Sequence, residues 1–96
     1  MLDLNPEHHA LVREILAQHA PGVRAWAFGS RTTGTARRFS DLDIALEGDV
    51  ELDIRTLADL RHAFQESDLP ISVDLLDLHT VRPSFLRRIA KERVAL

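Results

Sequence analysis

The sequence contains no cysteine among its 96 residues, and it has only four glycines and four prolines. The absence of cysteine excludes a disulfide framework, a thiolate zinc site and a cysteine nucleophile, and it suits a reducing compartment. No apolar run approaches the roughly 20 residues that span a membrane, and the first residues lack the basic and apolar order of a signal peptide. We therefore expect a cytoplasmic protein with no membrane-spanning segment.

The sequence also lacks any excess of positive charge, since its formal net charge is -3. A chain of this charge has no general attraction to polyanions, so direct nucleic-acid binding is disfavoured and phosphate binding must be local. Hydrophobic residues make up 45% of the chain and charged residues 28%, as in ordinary globular proteins. The length suits one domain over residues 1–96.

Hydrophobic periodicity and turn signals predict that helices alternate with strands along the chain. The predicted class is α/β (mixed α+β), with a small three- to four-stranded mixed sheet flanked by helices. The predicted elements are a helix from Asn5-Pro6-Glu7 to just before Pro21, a strand over 23–28, a polar loop over 29–40 with room for one helical turn, a strand over 41–46, a helix over 52–64, a strand over 71–76 and a closing helix over 84–93.

Carboxylates occupy alternate positions in one predicted strand. Asp41 and Asp43 are two residues apart, so their side chains point to the same face and repel each other unless a hard cation such as Mg²⁺ or Mn²⁺ lies between them. Asp74 lies in the middle of the next strand, where a lone buried carboxylate would be costly. If these two strands are neighbours, the three carboxylates form a cluster. Asp77 would face the other side and suits a strand end or turn.

A glycine-serine pair follows the first predicted strand. Gly29 permits close approach to the backbone, and the amide and hydroxyl of Ser30 can donate to a phosphate. Arg31 adds a charged donor beside them. A phosphate cradle next to a metal site suits in-line displacement at a phosphorus atom of a nucleoside triphosphate.

The joined pattern resembles a known signature. Residues 29–34, Gly-Ser-Arg-Thr-Thr-Gly, together with Ser40-Asp41-Leu42-Asp43-Ile44, are similar to the signature of the DNA polymerase β-type nucleotidyltransferases. Within that superfamily the chain resembles the minimal nucleotidyltransferases, which are encoded beside a small helical HEPN-type partner and often act as the antitoxin of a toxin–antitoxin pair. The segments around Asp74 and around Phe85 resemble the family's third-carboxylate strand and closing helix.

The resemblance implies a nucleotidyltransferase fold and roles for individual residues. Asp41 and Asp43 would bind both metal ions, and Asp74 would bind the catalytic ion and help to deprotonate the attacking hydroxyl. Gly29 and Ser30 would hold the triphosphate. The implied reaction transfers AMP from ATP to a hydroxyl group, with Mg²⁺ or Mn²⁺ as cofactor.

The length predicts where the acceptor comes from. A core of this size leaves no room for an acceptor-binding domain, so the acceptor belongs to another chain. The resemblance points to a tyrosine of a HEPN-type toxin. Two alternatives stay open: a non-enzymatic antitoxin that acts by contact, and a nucleotidyltransferase acting on a small molecule held by a helical substrate-binding subunit.

Overall fold

The fold consists of four strands and four α-helices, described by a computed structural model over residues Met1–Leu96. No helix combines the length and apolar character needed to cross a membrane. The elements in chain order are α1 (Pro6–His19), β1 (Arg24–Phe28), α2 (Ser30–Thr33), β2 (Leu42–Glu47), α3 (Ile54–Gln65), β3 (Val73–Asp77), a 3-10 turn (Leu78–Thr80), α4 (Pro83–Glu92) and β4 (Val94–Ala95).

The strands form one mixed sheet in the order β3-β2-β1-β4. β1 pairs antiparallel with β2 and with β4, whereas β2 and β3 run parallel. The parallel pair requires a crossover, which α3 provides between the two strands. The predicted fold class, a small mixed sheet with helices, is confirmed, and β4 makes the sheet four-stranded.

The hydrophobic core lies between one face of the sheet and helices α1 and α3. α1 begins where the sequence predicts it, because the Asn5 side chain accepts a hydrogen bond from the Glu7 amide at 2.8 Å and Pro6 is the first helical residue. The core is built from alternate strand residues and from one stripe of each helix. Its fully buried members are Val12, Ala27, Leu42, Ile44, Leu46 and Leu60.

The opposite face of the sheet is covered only by α4. Ile89 of this helix is 1% exposed, and the Phe85 ring packs edge-on against Phe28 of β1 at 6.1 Å between ring centroids. Because a single helix of ten residues lies here, part of this face stays open to solvent. The open part is where the candidate site lies.

The element boundaries differ from the predicted ones by a residue or two. β2 begins at Leu42 rather than Asp41, and β3 begins at Val73 rather than Ile71. Ile54 is an apolar residue of the helix predicted over 52–64, but it is 84% exposed, because Asp53 caps the helix and places Ile54 in its first turn, away from the core.

Asp77 ends β3 with its side chain buried. Its carboxylate accepts hydrogen bonds from the amides of Leu52 at 2.7 Å and His79 at 2.9 Å, and only 4% of the residue is exposed. The bonds join the end of β3 to the loop before α3. The predicted strand-end role of Asp77 is confirmed.

Candidate active site

A tight turn joins β1 to α2 at Gly29. Gly29 has φ 79° and ψ -152°, a conformation that is essentially restricted to glycine. A Cβ atom at this position would overlap the Asp43 Oδ2 atom. The turn therefore brings the backbone of Gly29 directly against a carboxylate of β2.

Both ends of the Gly29 residue are hydrogen-bonded. Its N–H donates to the Glu92 Oε1 atom at 2.9 Å, and its carbonyl oxygen accepts from the amides and hydroxyls of Thr32 and Thr33 at 3.0–3.2 Å. The Ser30 hydroxyl makes no hydrogen bond within the chain. It is therefore free to donate to a ligand.

Asp43 and Asp74 lie side by side in the sheet. They are register partners of the parallel pair β2 and β3, on the face opposite the core. Together with Gly29 they line an open pocket of about 460 Å³. The two strands that carry the aspartates are therefore neighbours, which was the condition for a carboxylate cluster. Two of the three predicted carboxylates, those of Asp43 and Asp74, lie in one pocket.

Asp74 is exposed, although apolar residues flank it on both sides in β3. The face of the sheet that carries Asp74 is only partly covered by α4, so its carboxylate faces solvent and the pocket. The cost that a lone buried carboxylate would carry at this position therefore does not arise.

The carboxylates of the pocket shift the ionisation of Asp43. Burial is the largest cause that raises the pKa of the Asp43 carboxyl above its ordinary value of 3.8, followed by the negative charges of Asp74, Asp41 and Glu92. The site thus concentrates negative charge that a bound cation would neutralise.

Asp41 lies one residue before β2 and is exposed. No group of three or more His, Asp or Glu side chains is gathered closely enough to hold a metal ion without help. Mg²⁺ commonly takes only one or two carboxylates and completes its shell with water and substrate phosphates. The donors present fit such a cation, because they are carboxylate oxygens on an open face of the sheet. The raised pKa of Asp43 reflects burial and also crowded negative charge that a cation would neutralise.

Arg31 does not lie at the pocket, so the predicted contact with phosphate is not supported. The residue is 6% exposed, and its guanidinium donates to the backbone carbonyls of Asp3 at 2.9 Å, Ser40 at 2.8 and 3.1 Å, and Arg38 at 3.4 Å. These bonds hold the polar loop and the N-terminal segment together. The side chain turns away because it projects from α2 on a different side from Ser30.

Substitution of Arg31 should therefore affect stability rather than nucleotide binding. We expect Arg31→Met to lower the free energy of unfolding by about 2–4 kcal/mol, because it removes four hydrogen bonds that the buried guanidinium donates to carbonyl oxygens. Urea denaturation would measure this loss, with the exposed Arg37→Met as the control. A variant of unchanged stability with weakened nucleotide binding would restore the role expected from the sequence.

Glu92 is a site residue that sequence reasoning missed. It lies 63 residues from Gly29 in the chain, at the end of α4, yet it accepts the Gly29 N–H. Its spacing from Phe85 and Arg88 places all three on one side of the helix, which was the available signal. It ties the closing helix to the turn.

A larger groove of about 900 Å³ lies between α1, β1 and β4. It contains neither the aspartates nor the Gly29-Ser30 turn. The smaller pocket is therefore the candidate active site, because it combines the carboxylates of Asp43 and Asp74 with Gly29, the residue that precedes Ser30 in the turn.

This fold, with paired carboxylates on neighbouring strands beside a strand-glycine-serine-helix turn, is that of a nucleotidyltransferase. The family model described as "Polymerase beta, Nucleotidyltransferase" matches residues 11–96. The chain belongs to this family, as its sequence signature predicts. Membership implies a nucleotide substrate and, typically, a divalent metal ion.

The chain is also similar to one named protein and to one solved structure. A protein of Haemophilus influenzae, named probable protein adenylyltransferase MntA, is 44% identical over 95 residues, which cover 99% of this chain and 83% of that protein. A crystal structure of a toxin–antitoxin with AMP-PNP is similar with a TM-score of 0.75 and 26% identity, over 90% of this chain and 69% of that one.

A third similarity concerns the fold alone. The structure of a tri-AMPylated HEPN toxin in complex with MNT antitoxin, from Shewanella oneidensis, matches at 21% identity with a TM-score of 0.66. The match covers 91% of this chain and 69% of that one.

Proposed function

We propose that this chain transfers AMP from ATP to a hydroxyl group on a helical HEPN-type protein and thereby acts as its antitoxin. The observation that carries the proposal is the Asp43 and Asp74 pair in one pocket with the Gly29-Ser30 turn. The 44% identical relative, named a protein adenylyltransferase, supports the choice of AMP and of a protein acceptor. A cytoplasmic location and a single domain over residues 1–96 stay predictions.

The triphosphate binds at the turn after β1. The Ser30 hydroxyl, which has no partner in the chain, donates to a phosphate oxygen. Gly29 allows the triphosphate to approach the backbone, since it carries no side chain. The Gly29 N–H stays bonded to Glu92 and keeps the turn in place.

Asp41, Asp43 and Asp74 would hold the divalent cation, which we propose to be Mg²⁺, or Mn²⁺ in its place. When bound, the cation polarises the phosphoryl oxygens and neutralises charge that develops during transfer. In its absence the three carboxylates repel one another, which agrees with the raised pKa of Asp43.

Asp74 is placed to receive the proton of the acceptor. Its carboxylate is exposed and lines the pocket, so an incoming hydroxyl can reach it. As the acceptor oxygen bonds to the α-phosphorus, its proton passes to Asp74 and the bond to pyrophosphate breaks. The products are an AMP ester and pyrophosphate.

The partner would position the acceptor hydroxyl, since the pocket is open to solvent and is lined by residues of the sheet, the Gly29 turn and α4. Holding two reactants in line accounts for a large part of the rate enhancement in such transfers. The similarity to toxin–antitoxin structures supports a helical HEPN-type partner, with a tyrosine as the acceptor expected from the sequence resemblance.

Incubation with the partner tests this function. Mixing the protein with a HEPN-type partner protein, ATP and Mg²⁺ should add the mass of one or more AMP units to the partner. Intact-protein mass spectrometry measures the addition. The Asp41→Asn variant is expected to add none, because it loses a cation ligand while the exposed position keeps the fold intact.

The same mixture separates catalysis from simple binding. If no adduct forms and the Asp41→Asn variant protects cells from the partner as well as the wild type does, the chain acts by contact. Transfer of UMP, CMP or GMP in place of AMP would correct the nucleotide and leave the reaction class intact.

A further inference from the structure

The pocket at the active site contains a single cationic side chain. Its lining carries the carboxylates of Asp43, Asp74 and Glu92, and only the guanidinium of Arg88 opposes them. A bound triphosphate adds several negative charges to this set. A guanidinium is well suited to phosphate oxygens, because its planar fork offers paired donors and it stays charged.

Aromatic packing holds Arg88 near the turn. Its Cζ atom lies 5.8 Å from the centroid of the Phe85 ring, and Phe85 in turn packs edge-on against Phe28. Phe28 directly precedes Gly29 in the chain. The aromatic pair therefore holds the guanidinium of Arg88 beside the turn that contains Gly29 and Ser30.

The guanidinium of Arg88 contacts the Phe85 ring but makes no hydrogen bond or salt bridge, since the one salt bridge in the protein joins Arg24 to Glu47. Its N–H groups therefore have no acceptor within the chain. Of the other arginines near the motif, Arg31 is buried among carbonyls, and Arg38 stacks on the exposed Phe39 ring and does not line the pocket. Arg88 is thus the arginine whose donors are available in this pocket.

We propose that Arg88 donates to the phosphate oxygens of the bound nucleotide and is a further catalytic residue of the transfer. The assignment rests on the proposed function, because it requires a triphosphate in this pocket. It gives the closing helix a second link to the turn: Glu92 holds the backbone of Gly29, and Arg88 holds the ligand. It also supplies the positive charge that the sequence assigned to Arg31.

Arg88→Gln tests the assignment, with Arg87→Gln as the matched control. Both arginines lie on α4 and are exposed, but only Arg88 lines the pocket. Calorimetric titration with AMP-PNP and Mg²⁺ should show affinity weakened by about 10- to 100-fold in Arg88→Gln. Arg87→Gln should match the wild type, and Arg88→Lys should recover part of the loss.

Direct binding of a ligand without a nucleoside isolates the phosphate contact. In calorimetric titration, inorganic tripolyphosphate should bind more weakly to Arg88→Gln than to the wild type and to Arg87→Gln. The melting temperatures of the two glutamine variants should agree within a few degrees, because both side chains are exposed and Arg88→Gln loses only the contact with the Phe85 ring. In steady-state assays Arg88→Gln should raise the KM for ATP.

Several outcomes would overturn the assignment. AMP-PNP affinity within twofold of the wild type in Arg88→Gln would remove the phosphate contact, and so would equal weakening by Arg87→Gln, which would indicate only a general charge effect. A wild type that binds no AMP-PNP would instead overturn the proposed function itself. The two failures are therefore distinguishable.

Discussion

Replacing Asp43 with asparagine is expected to remove AMP transfer and at the same time to stabilise the cation-free protein at neutral pH. The substitution keeps the shape of the side chain but removes the charge that binds the cation. Loss of several kcal/mol of charge stabilisation in the transition state should lower the rate by at least about 10³-fold. Single-turnover assays with the partner and ATP would measure it.

The gain in stability follows from the raised pKa of Asp43. Because the folded protein binds this proton more tightly than the unfolded chain, the stability conferred by the protonated carboxyl is fully present below pH 3.8 and is lost as the pH rises through the raised pKa. At neutral pH the charged Asp43 therefore destabilises the fold. The neutral amide of the variant carries no such cost, so its melting temperature in EDTA should exceed that of the wild type at pH 7.

Asp59→Asn is the control for both measurements, because Asp59 is exposed on α3, away from the pocket. It should change neither transfer nor the pH dependence of stability. The advantage of Asp43→Asn should shrink as the pH falls toward 3.8. An Asp43→Asn protein that transfers AMP at the wild-type rate would place the cation site elsewhere.

Gly29→Ala should disrupt both the turn and the site. The new Cβ meets a backbone conformation that only glycine adopts readily, and it overlaps the Asp43 carboxylate. Strain and overpacking together should lower the free energy of unfolding by about 2–4 kcal/mol. Transfer should be lost in the fraction that folds, because Asp43 must move. Urea denaturation and the mass-spectrometric assay provide the two readouts.

Gly34→Ala provides a matched control within the same loop. Gly34 also has a positive φ, of 77°, but a Cβ there has open space around it. This variant should lose about 1–2 kcal/mol of stability from backbone strain alone and should keep full transfer activity. If the two variants behave alike in both assays, the close approach of Gly29 to Asp43 has no catalytic consequence.

Local patterns predict most of the fold and part of the site. The alternation around Asp43 and the cap at Asn5 are short-range signals, and both elements form close to where those signals place them. The partnership of Asp43 with Asp74 depends on β3 lying parallel to β2, which no short segment encodes. From the sequence, the carboxylate pair could be predicted only on the condition that the two strands are neighbours. The pairing of β2 with β3 fulfils that condition.

The positions of Arg31, Glu92 and Arg88 could not be predicted from the sequence, for physical reasons. Arg31 follows Ser30 directly in the chain, so the sequence groups them, but successive residues of a helix point about 100° apart and its long side chain reaches loop carbonyls instead. Glu92 and Arg88 come from the far end of the chain, and only the packing of α4 brings them to the pocket.

The parallel register of β2 and β3 also makes the number of residues in β3 part of the chemistry. Successive side chains of a strand alternate between faces, so a slip of one residue would place Leu75 opposite Asp43 and turn Asp74 into the apolar core. A single-residue insertion or deletion within β3 would therefore cost the enzyme its carboxylate pair and its core contacts together. Insertions and deletions in β3 are therefore disfavoured both by lost activity and by lost stability. The exposed residues that follow Gly48 can vary in number without moving either aspartate.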